Sequence, residues 1–483
     1  MVYHRKIKVM RYSKYFRRCL FKALLCGAGV STVTCLSAQE KMTRLSVVGV
    51  STTAENPWRN ITQLESAVAS TSESPVLRIW PDKTFQTMDG FGGCFNELGW
   101  EALLKTNAEG RKEILTALFS EEGSAFNLAR IPIGASDFAL SSYSLAETPG
   151  DLELKSFSLE RDKKHLIPYI RAAQAIRPDL RSWASPWSPP AWMKTNNHYA
   201  EGSIKGEPSN LESYANYLAT WVESYKKMGI PIYALSPQNE PNISSKYPSC
   251  VWTPDQLREF FGEYLGPVFQ KRNVGVELWL GLNGDPPNQG SNPNARLITV
   301  MEDPKASPFI KGIAFQYDKE TQIKTAYELY PDRRLLQSET SCNGGENSWK
   351  DAERLFWLMK TYIENGAGSY FAWNMVLNET GMSTWNWKQN ALITVDQHSG
   401  KITYNGEYYV MRHFSHYVKP GAKRIYDTGS WRDRITFINP DGSIVLIVSN
   451  PSNRNSFLSV QVGDKVFKTS MEAHSINTYL IKR

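Results

Sequence analysis

Short apolar runs recur through the middle of the chain, and stretches with helical spacing lie between them. The most regular helical stretch places large apolar residues on one face over 214–228, and Gly229 follows as a stop. A second stretch covers 352–363 and ends before Gly366. The apolar runs lie at 86–95, 127–133, 181–185, 232–236, 276–281, 312–317, 334–338 and 368–374. Strands that alternate with helices pair in parallel, so these eight runs predict an α/β fold, a (β/α)8 TIM barrel over residues 87–409.

A doubly wound parallel sheet is the structural alternative to the barrel. Such sheets often carry a dinucleotide-binding glycine pattern after a strand, and the chain has a glycine cluster at Gly90, Gly92 and Gly93. Phe95 stands where that pattern requires its third glycine. The cluster therefore gives no support for a dinucleotide site, and the barrel is favoured.

The pattern changes after about residue 410, where apolar runs alternate with turn residues. Residues 444–448 and 456–462 are predicted strands, and Asn439-Pro440-Asp441-Gly442 is typical of a hairpin turn. This module is small for an independent core. We therefore expect an all-β sandwich side domain of 76–86 and 410–483, built from both chain ends. The segment 39–75 is rich in serine and threonine and is predicted to be a polar N-terminal arm.

The basic excess of the chain is concentrated at its start. The formal net charge is +7, but eight basic residues and no acidic ones lie within 1–38, and the remainder has 47 basic against 48 acidic residues. The charge therefore gives no argument for a nucleic-acid partner. A basic stretch, an apolar run at 23–36 and the small pair Ser37-Ala38 predict a signal peptide over 1–38, with translation starting at Met1 or Met10. We expect a secreted or periplasmic protein, with a lipid anchor on Cys35 as the second alternative.

Several other chemistries lack their sequence signatures. The chain has no Gly-x-Ser-x-Gly nucleophile elbow and no Gly-x-x-x-x-Gly-Lys phosphate loop. Its seven histidines include His413 and His416 on one helical face, but no third zinc ligand accompanies them. The three cysteines beyond the leader are too few and scattered for a disulfide framework. We therefore expect no metal, no cofactor and no obligate protein partner.

Two glutamates follow apolar strand residues at matching places in the predicted barrel. Glu240 stands in Leu235-Ser236-Pro237-Gln238-Asn239-Glu240-Pro241 after the fourth strand, and Glu339 ends Leu335-Leu336-Gln337-Ser338-Glu339 on the seventh. Barrel enzymes carry their chemistry at the carboxyl ends of the strands. One protonated and one ionised carboxyl at that end suit cleavage of a glycosidic bond, with Glu240 as acid/base and Glu339 as nucleophile. Ordinary ion pairs at two strand ends are the structural alternative.

Polar and aromatic residues near the same strand ends complete the predicted site. Asn239 is placed to hydrogen-bond a sugar hydroxyl and to stabilise charge in the transition state. Trp187 follows the third strand and Trp373 lies at the end of the eighth, and a flat ring suits the face of a sugar. Asn390 lies on the loop after the eighth strand, beside two further tryptophans. Packing in the core is the alternative for each tryptophan.

At these motifs the sequence resembles glycoside hydrolase family 30, and within it the branch that contains lysosomal acid β-glucosidase. The similarity extends from about residue 77 to the C-terminus. The blocks that carry it are Asp89-Gly90-Phe91-Gly92-Gly93, Phe119-Ser120-Glu121-Glu122-Gly123, Arg130-Ile131-Pro132, Ser136-Asp137-Phe138, Ser185-Pro186-Trp187, Asn239-Glu240-Pro241, Ser338-Glu339 and His413-Phe414-Ser415. The resemblance implies a (β/α)8 barrel fused to a β-sandwich, no metal, and a covalent glycosyl-enzyme intermediate on Glu339 with Glu240 as acid/base.

The resemblance also implies roles for residues that the apolar pattern does not reach. Glu97 falls where the family often has an aspartate that binds sugar hydroxyls, and Arg130 matches a strand-two arginine that supports the nucleophile. On strand six the glucosidase branch has His-Trp-Tyr, whereas this chain has Phe-Gln-Tyr-Asp from residue 315. Gln316 stands for the histidine, and either Tyr317 or Asp318 takes the place of the tyrosine that bonds the nucleophile.

The expected activity is hydrolysis of β-glucosidic bonds with retention, of the β-glucosidase or β-1,6-glucanase type, on a β-glucoside or β-glucan. The leader favours a polysaccharide or oligosaccharide over glucosylceramide. A β-xylosidase or β-fucosidase on the same scaffold is the nearest alternative, and an inverting enzyme is the mechanistic one. The alternative from another class is an inactive carbohydrate-binding protein, which the presence of both Glu240 and Glu339 disfavours.

Overall fold

A computed structural model describes residues 45–69, 76–283, 293–317, 321–340 and 342–482. The predicted leader at 1–38 lies outside these residues, as does Asp318. Among the described residues, no helix is both long and apolar enough to cross a bilayer.

The strands fall into three groups along the chain. Those before the barrel are β1 (Ser46–Thr52), β2 (Arg59–Leu64), β3 (Ser66–Val68) and β4 (Leu77–Thr87). The barrel strands are β5 (Gly90–Cys94), β6 (Leu128–Ile133), β7 (Arg181–Pro186), β8 (Ile232–Leu235), β9 (Glu277–Asn283), β10 (Ile310–Gln316), β11 (Arg334–Glu339) and β12 (Ser369–Asn374). Those after it are β13 (Val376–Asn378), β14 (Ile393–Val395), β15 (Ile402–Tyr404), β16 (Lys423–Gly429), β17 (Arg434–Ile438), β18 (Ile444–Asn450), β19 (Ser456–Val462), β20 (Lys465–Met471) and β21 (Ser475–Lys482).

Helices lie between the barrel strands and after them. They are α1 (Glu97–Leu104), α2 (Ala108–Phe119), α3 (Leu166–Ile176), α4 (Pro208–Lys227), α5 (Pro254–Glu259), α6 (Gly266–Lys271), α7 (Ala295–Met301), α8 (Thr321–Leu329), α9 (Trp349–Glu364) and α10 (Gly406–Ser415). A π-helical segment, Phe260–Leu265, joins α5 to α6.

Strands β5 to β12 close into a barrel in which neighbours are parallel, which confirms the predicted fold. Each of the eight apolar runs overlaps one barrel strand. The two helical stretches correspond to α4 and α9. Gly229 and Gly366, which follow these helices, have φ of 75° and 106°, a conformation that glycine adopts readily because it has no Cβ.

The barrel interior is filled with side chains and is not a channel. One buried layer takes a residue from seven of the strands and contains Leu128, Trp183, Ala234, Trp279, Ala314, Leu336 and Phe371. The large rings need small neighbours: a Cβ on Gly312 would lie 2.3 Å from the Trp279 ring. Because this layer closes the barrel, any substrate site has to lie above it, at one end of the strands.

The two chain ends together build the predicted β-sandwich domain. Its ten strands have the order β2-β1-β21-β18-β17-β16-β4-β19-β20-β3, and β4 joins the halves by pairing with β16 and β19. The first five residues of β18, 444–448, are all apolar, and the strand is buried on both faces. Ile444, Leu446 and Val448 enter the sandwich core, whereas Val445 and Ile447 pack with the barrel. The predicted hairpin turn joins β17 to β18.

The expectation of a polar arm over 39–75 is corrected where the structure describes this segment. Strand β1 pairs with β21 from Ser46↔Lys482 to Thr52↔Ile476, and β2 and β3 extend the sheet at its two edges. Val47 and Val50 are fully buried. Threonine fits a strand as well as a linker, so the polar composition of the segment concealed these two buried valines.

Helix α10 and the sandwich meet through a buried histidine. His413 on α10 contacts Thr478 Oγ1 on β21 with Nδ1 and Thr52 Oγ1 on β1 with Nε2, each over 2.8 Å. Its ring is fully buried. Burial, with Arg412 and His416 nearby, lowers the pKa of His413 from the ordinary 6.5 to about 3. His413 is therefore neutral in the folded protein and joins the barrel to both ends of the chain.

We predict that His413→Ala lowers the free energy of unfolding by about 2–3 kcal/mol at pH 7, because two hydrogen bonds and the ring packing are lost. Wild-type stability should also fall as the pH drops from about 6.5 towards 3, since only the unfolded state gains the proton in that range. The variant should lack this part of the pH dependence. Denaturant unfolding at several pH values measures both effects.

His398→Ala is the matched control, because His398 is exposed. It should leave the stability unchanged. An equal loss in both variants would contradict the role given to His413.

Candidate active site at the carboxyl ends of the barrel strands

The two candidate glutamates lie at the same end of the barrel. Glu339 is the last residue of β11, and Glu240 follows β8 after a short turn. Because all eight strands are parallel, their carboxyl ends share one rim. Strands β9 and β10 lie between β8 and β11 on that rim. The negative charge of Glu339 raises the pKa of Glu240, so the two carboxyls belong to one site.

Backbone hydrogen bonds to β7 hold the turn that carries Glu240. The Ser236 amide donates to the Ala184 carbonyl over 2.9 Å, and the Asn239 amide donates to the Pro186 carbonyl over 2.7 Å. Glu240 has φ of 45°, in the left-handed region that residues with a Cβ rarely adopt. Backbone strain of this kind persists where the surrounding structure enforces it, and it is concentrated at functional sites.

Arg130 on β6 lies at the centre of the site and is fully buried. Its Nη1 donates to Glu339 Oε2 over 2.7 Å and to the Ser338 carbonyl over 3.0 Å. Its Nη2 donates to Asn239 Oδ1 over 2.6 Å and to Ser185 Oγ over 3.0 Å. The guanidinium is a rigid fork of donors, so one side chain fixes the ends of β7 and β11 and the turn after β8. Arg130 thus contacts Glu339, the residue that the resemblance expects it to support.

Burial raises the pKa of both carboxyls, but the two sites differ. The pKa of Glu240 is raised to about 8 by burial and by the charge of Glu339, against smaller opposing effects of Tyr247 and Arg130. Burial also raises the pKa of Glu339, but the Arg130 guanidinium at 2.7 Å opposes that rise. Glu339 therefore loses its proton first, and Glu240 keeps its proton at neutral pH.

Two tyrosine hydroxyls each donate to one of these carboxyls. Tyr317 Oη donates to Glu339 Oε1 over 3.3 Å, so Tyr317 makes the contact for which Asp318 was the other candidate. Tyr247 Oη donates to Glu240 Oε2 over 2.7 Å. Tyr247 lies in the loop between β8 and α5, where neither periodicity nor a motif marks it. Its nearness to Glu240 in the chain is the one signal that could have suggested a role.

Trp187 and Trp373 surround the Arg130 guanidinium. Their ring centroids are 5.0 Å apart, and Arg130 Cζ lies 4.5 Å from the Trp187 ring and 5.3 Å from the Trp373 ring. Phe138 and Tyr247 belong to the same apolar cluster. Contact with aromatic faces stabilises a desolvated cation. The structure thus brings both predicted tryptophans into the site, and sugar stacking on them stays a prediction.

A third carboxyl, Asp137, lies beside the pair. Its Oδ1 is buried, and no hydrogen bond reaches that atom from the residues that the structure describes. Burial, followed by the charges of Glu339 and Glu240, raises the pKa of Asp137 well above its ordinary range. Buried polar atoms normally have a partner, so Oδ1 is suited to a ligand hydroxyl. The Ser136-Asp137-Phe138 block was the signal that could have identified it.

Glu97 does not join these groups, which corrects the expectation that it binds substrate. Its Oε1 and Oε2 accept from the Arg161 guanidinium over 2.8 and 2.9 Å, and Oε2 also accepts from the Leu140 amide over 2.8 Å. The Glu97 side chain is 2% exposed. Both oxygens of the carboxylate are therefore engaged by protein donors, in a bidentate ion pair with Arg161. Glu97 therefore fixes the loop after β6 against the start of α1.

The Asn390 side chain also has protein partners at both ends of its amide. Oδ1 accepts from the Gly345 and Asn347 amides over 2.9 and 3.2 Å, and Nδ2 donates to Asp351 Oδ2 over 3.2 Å. These contacts join the loop after β12 to the loop after β11. The geometry gives Asn390 a role in holding the two loops and does not support its predicted contact with substrate.

The arrangement keeps a proton donor and an anion at one rim of a closed barrel. A protonated Glu240 can protonate a departing oxygen, and an ionised Glu339 can attack a carbon from which that oxygen leaves. Among the described residues, no group of three His, Cys, Asp or Glu side chains is arranged to hold a metal ion. This combination of fold and site is that of a glycoside hydrolase.

Two family models match successive parts of the chain. Residues 88–418 match the glycosyl hydrolase family 30 TIM-barrel domain, and residues 421–479 match the glycosyl hydrolase family 30 beta sandwich domain. The chain belongs to glycoside hydrolase family 30.

Individual relatives agree with the family. The mouse lysosomal acid glucosylceramidase is 30% identical over 445 residues, covering 84% of this chain and 84% of the mouse protein. SrfJ from Salmonella typhimurium superposes with a TM-score of 0.81 at 26% identity, covering 91% of this chain and 100% of that one. The endo-β1,6-glucanase BT3312 superposes with a TM-score of 0.79 at 26% identity, covering 90% of this chain and 98% of that one. The chain is thus a β-glycosidase similar to the glucosylceramidases.

We predict that Arg130→Met moves the acidic limb of the kcat/KM profile upward by about 1–3 pH units, because a neighbouring cation lowers a carboxyl pKa by about that amount. Glu339 would then hold its proton to higher pH. The profile is measured on an aryl β-glycoside that the wild type cleaves. Arg130→Lys, which keeps the charge, should give a smaller shift.

Arg161→Met is the matched control, because it removes an arginine that is paired with a different buried carboxylate, that of Glu97. Its acidic limb should coincide with that of the wild type. A loss of activity in Arg130→Met with an unmoved acidic limb would show that Arg130 acts on packing alone.

Proposed function

We propose that this protein is a retaining β-glycosidase that acts by double displacement. In the first step Glu339 Oε attacks the anomeric carbon, while Glu240 gives its proton to the departing glycosidic oxygen. In the second step Glu240 takes a proton from water, and the water oxygen displaces Glu339 from the sugar. The proton and the carboxylate are restored at the end of each turnover.

The observation that carries this proposal is the unequal treatment of two carboxyls in one buried site. Arg130 and Tyr317 both donate to Glu339, which favours its anion. Burial and the negative charge of Glu339 instead raise the pKa of Glu240 to about 8, which favours its acid form. Two carboxyls whose environments separate their pKa values in this way are suited to one nucleophile and one acid.

Three neighbouring groups are proposed to contact the bound sugar. Asn239 Oδ1 is occupied by Arg130 and Gln316, which leaves its Nδ2 as the end suited to a substrate hydroxyl. Asp137 Oδ1 is suited to accept from another hydroxyl. Trp373 is proposed as the stacking platform beside them.

We propose a β-glucoside as substrate, with β-1,6-glucan or its oligosaccharides preferred. The support is the similarity in fold and sequence to an endo-β1,6-glucanase over 90% of the chain. Glucosylceramide is the second candidate, because the mouse glucosylceramidase is 30% identical to this chain. β-Xylosides and β-fucosides are the nearest other substrates.

We also propose that the protein is exported and that residues 1–38 are removed, on the strength of the basic and apolar order of that segment. The N-terminal residue of protein recovered outside the cytoplasm tests this. Gln39 is expected, and a lipid-modified Cys35 would support the anchored alternative.

The direct test is hydrolysis by residues 39–483 of β-1,6-glucan, glucosylceramide in detergent and aryl β-glucosides, β-xylosides and β-fucosides. We expect cleavage of β-glucosides, with the β-anomer as the first product in the proton NMR spectrum, because two displacements at one carbon restore its configuration. An α-anomer as first product would establish inversion and exclude the covalent intermediate. Hydrolysis limited to xylosides or fucosides would exclude the proposed sugar.

We predict that Glu240→Gln lowers kcat by about 10²–10⁴ on substrates with poor leaving groups, since general acid catalysis contributes about that factor. Formation of the glycosyl-enzyme from a 2,4-dinitrophenyl β-glucoside should be nearly unaffected, because that leaving group needs no proton. Glu339→Gln should lose several orders of magnitude on both substrates.

Glu101→Gln is the matched control, because Glu101 lies on helix α1 and contacts His165, and the variant should retain wild-type rates. If the two substrates lose activity equally in Glu240→Gln, Glu240 is not the acid. If the wild type and all variants are inert but bind glucan, the inactive binding protein replaces the enzyme.

A further inference from the structure

Gln316 is a buried amide that touches the turn carrying Glu240. It is the last residue of β10, and a bulge after Phe315 sets it opposite Glu339 on β11. One end of the amide is 2.7 Å from Asn239 Oδ1, and the other end is 3.2 Å from Glu240 Oε1. Gln316 thus bridges the asparagine that Arg130 holds and the glutamate proposed to be the acid.

The orientation of this amide follows from the fixed donors of Arg130. A guanidinium only donates hydrogen bonds, and Arg130 Nη2 lies 2.6 Å from Asn239. The near atom of Asn239 is therefore its oxygen, Oδ1. An oxygen there accepts, so the end of Gln316 at 2.7 Å is the NH2 group, Nε2.

It follows that the carbonyl oxygen of Gln316 faces Glu240 Oε1 over 3.2 Å. Two oxygens at this distance attract only if one of them carries a proton, and a carboxylic acid can supply it. The reverse orientation would let Gln316 donate to Glu240 and accept from Arg130 Nη2 at 3.2 Å. It would also place the Gln316 oxygen 2.7 Å from Asn239 Oδ1, and two acceptors would then face each other. Turning the Asn239 amide would instead place its Nδ2 2.6 Å from Arg130 Nη2, and two donors would then face each other.

We propose that Gln316 is a positioning residue that holds Glu240 in its acid form, with Gln316 Oε1 accepting the hydrogen bond from the protonated Oε1 of Glu240. This rests on the proposed function, in which Glu240 is the acid/base. When Glu240 gives its proton to the glycosidic oxygen, the carboxylate faces a carbonyl oxygen. That contact makes the anion a stronger base, which favours the return of a proton from water in the second step.

Several charged and titratable groups of the described residues also act on Glu240. The anion of Glu339 favours the acid form of Glu240, and the Arg130 cation favours its carboxylate. Asp137 lies beside them, and its own pKa is raised well above its ordinary range by burial and by the charges of Glu339 and Glu240. Tyr247 donates to Oε2, which also favours the carboxylate. Burial raises the pKa of the Tyr317 phenol well above its ordinary range, so Tyr317 stays neutral. Gln316 therefore acts on Oε1 in the direction opposite to that of Tyr247 on Oε2.

The test is the basic limb of the kcat/KM profile in Gln316→Met, which keeps the length of the side chain and loses the amide. We expect the basic limb to move downward by about one pH unit, the effect of one ordinary hydrogen bond. Gln316→His should restore the wild-type limb, because a neutral imidazole has one donor for Asn239 and one acceptor for Glu240. An upward shift in Gln316→Met would overturn the proposal, because it would mean that the amide donates to the carboxylate.

Gln337→Met is the matched control, since Gln337 is a buried glutamine on β11 whose amide has no hydrogen bond among the described residues. Its basic limb should equal that of the wild type. If Glu240→Gln has the leaving-group dependence of a lost acid while Gln316→Met keeps the wild-type limb, this inference fails and the proposed function stands. If Glu240→Gln lacks that dependence, both fail.

Infrared spectroscopy tests the same bond without a Gln316 variant. The difference spectrum of wild type minus Glu240→Gln at pH 6 should contain a carboxylic-acid carbonyl band shifted by a hydrogen bond. A carboxylate band at that pH, or an acid band free of any hydrogen bond, would overturn the proposal even if Gln316→Met fails to fold.

Discussion

The site depends on one buried cation. Arg130 is completely withdrawn from solvent, which is costly for a charge unless its neighbours compensate. Glu339 supplies the opposite charge, Asn239 and Ser185 accept from Nη2, and the rings of Trp183, Trp187 and Trp373 lie 4.5–5.3 Å from its Cζ. These partners come from separate strand ends, so they meet only when the barrel is closed. The electrostatics of the site therefore depend on closure of the barrel.

This cation also makes the two carboxyls different. Burial alone would raise both pKa values, and two anions so close would repel each other. Arg130 resolves the competition in favour of an ionised Glu339, and the charge of Glu339 in turn keeps the proton on Glu240. In the proposed intermediate Glu339 is an ester and has no charge. One contribution to the high pKa of Glu240 then disappears, and Glu240 becomes able to act as a base at the point where the second step needs one.

The sequence predicts what depends on periodicity and local motifs, and it misses what depends on contacts between distant loops. The barrel strands follow from the apolar runs, and Glu240 and Glu339 follow from their positions at strand ends. Tyr247 reaches Glu240 through a loop of no regular pattern. Asp137 stands in a motif of the sequence, but its buried oxygen without a partner is visible only in the fold. For Glu97 the prediction from the sequence was wrong. Its place in the chain suggested a sugar contact, but Arg161, 64 residues later, donates to both of its carboxylate oxygens.

The hydrogen bonds around Glu240 show how a neutral group can set the proton affinity of an acid. Arg130 orients Asn239, and Asn239 orients Gln316, so the direction of one guanidinium is passed through two amides to Glu240 Oε1. No charge moves along this series. The effect of Gln316 on the pKa of Glu240 therefore stays constant through the cycle. The effect of Glu339 is present only while Glu339 is ionised. In the proposed mechanism, a constant effect of Gln316 and a variable effect of Glu339 together let the same carboxyl be an acid in one step and a base in the next.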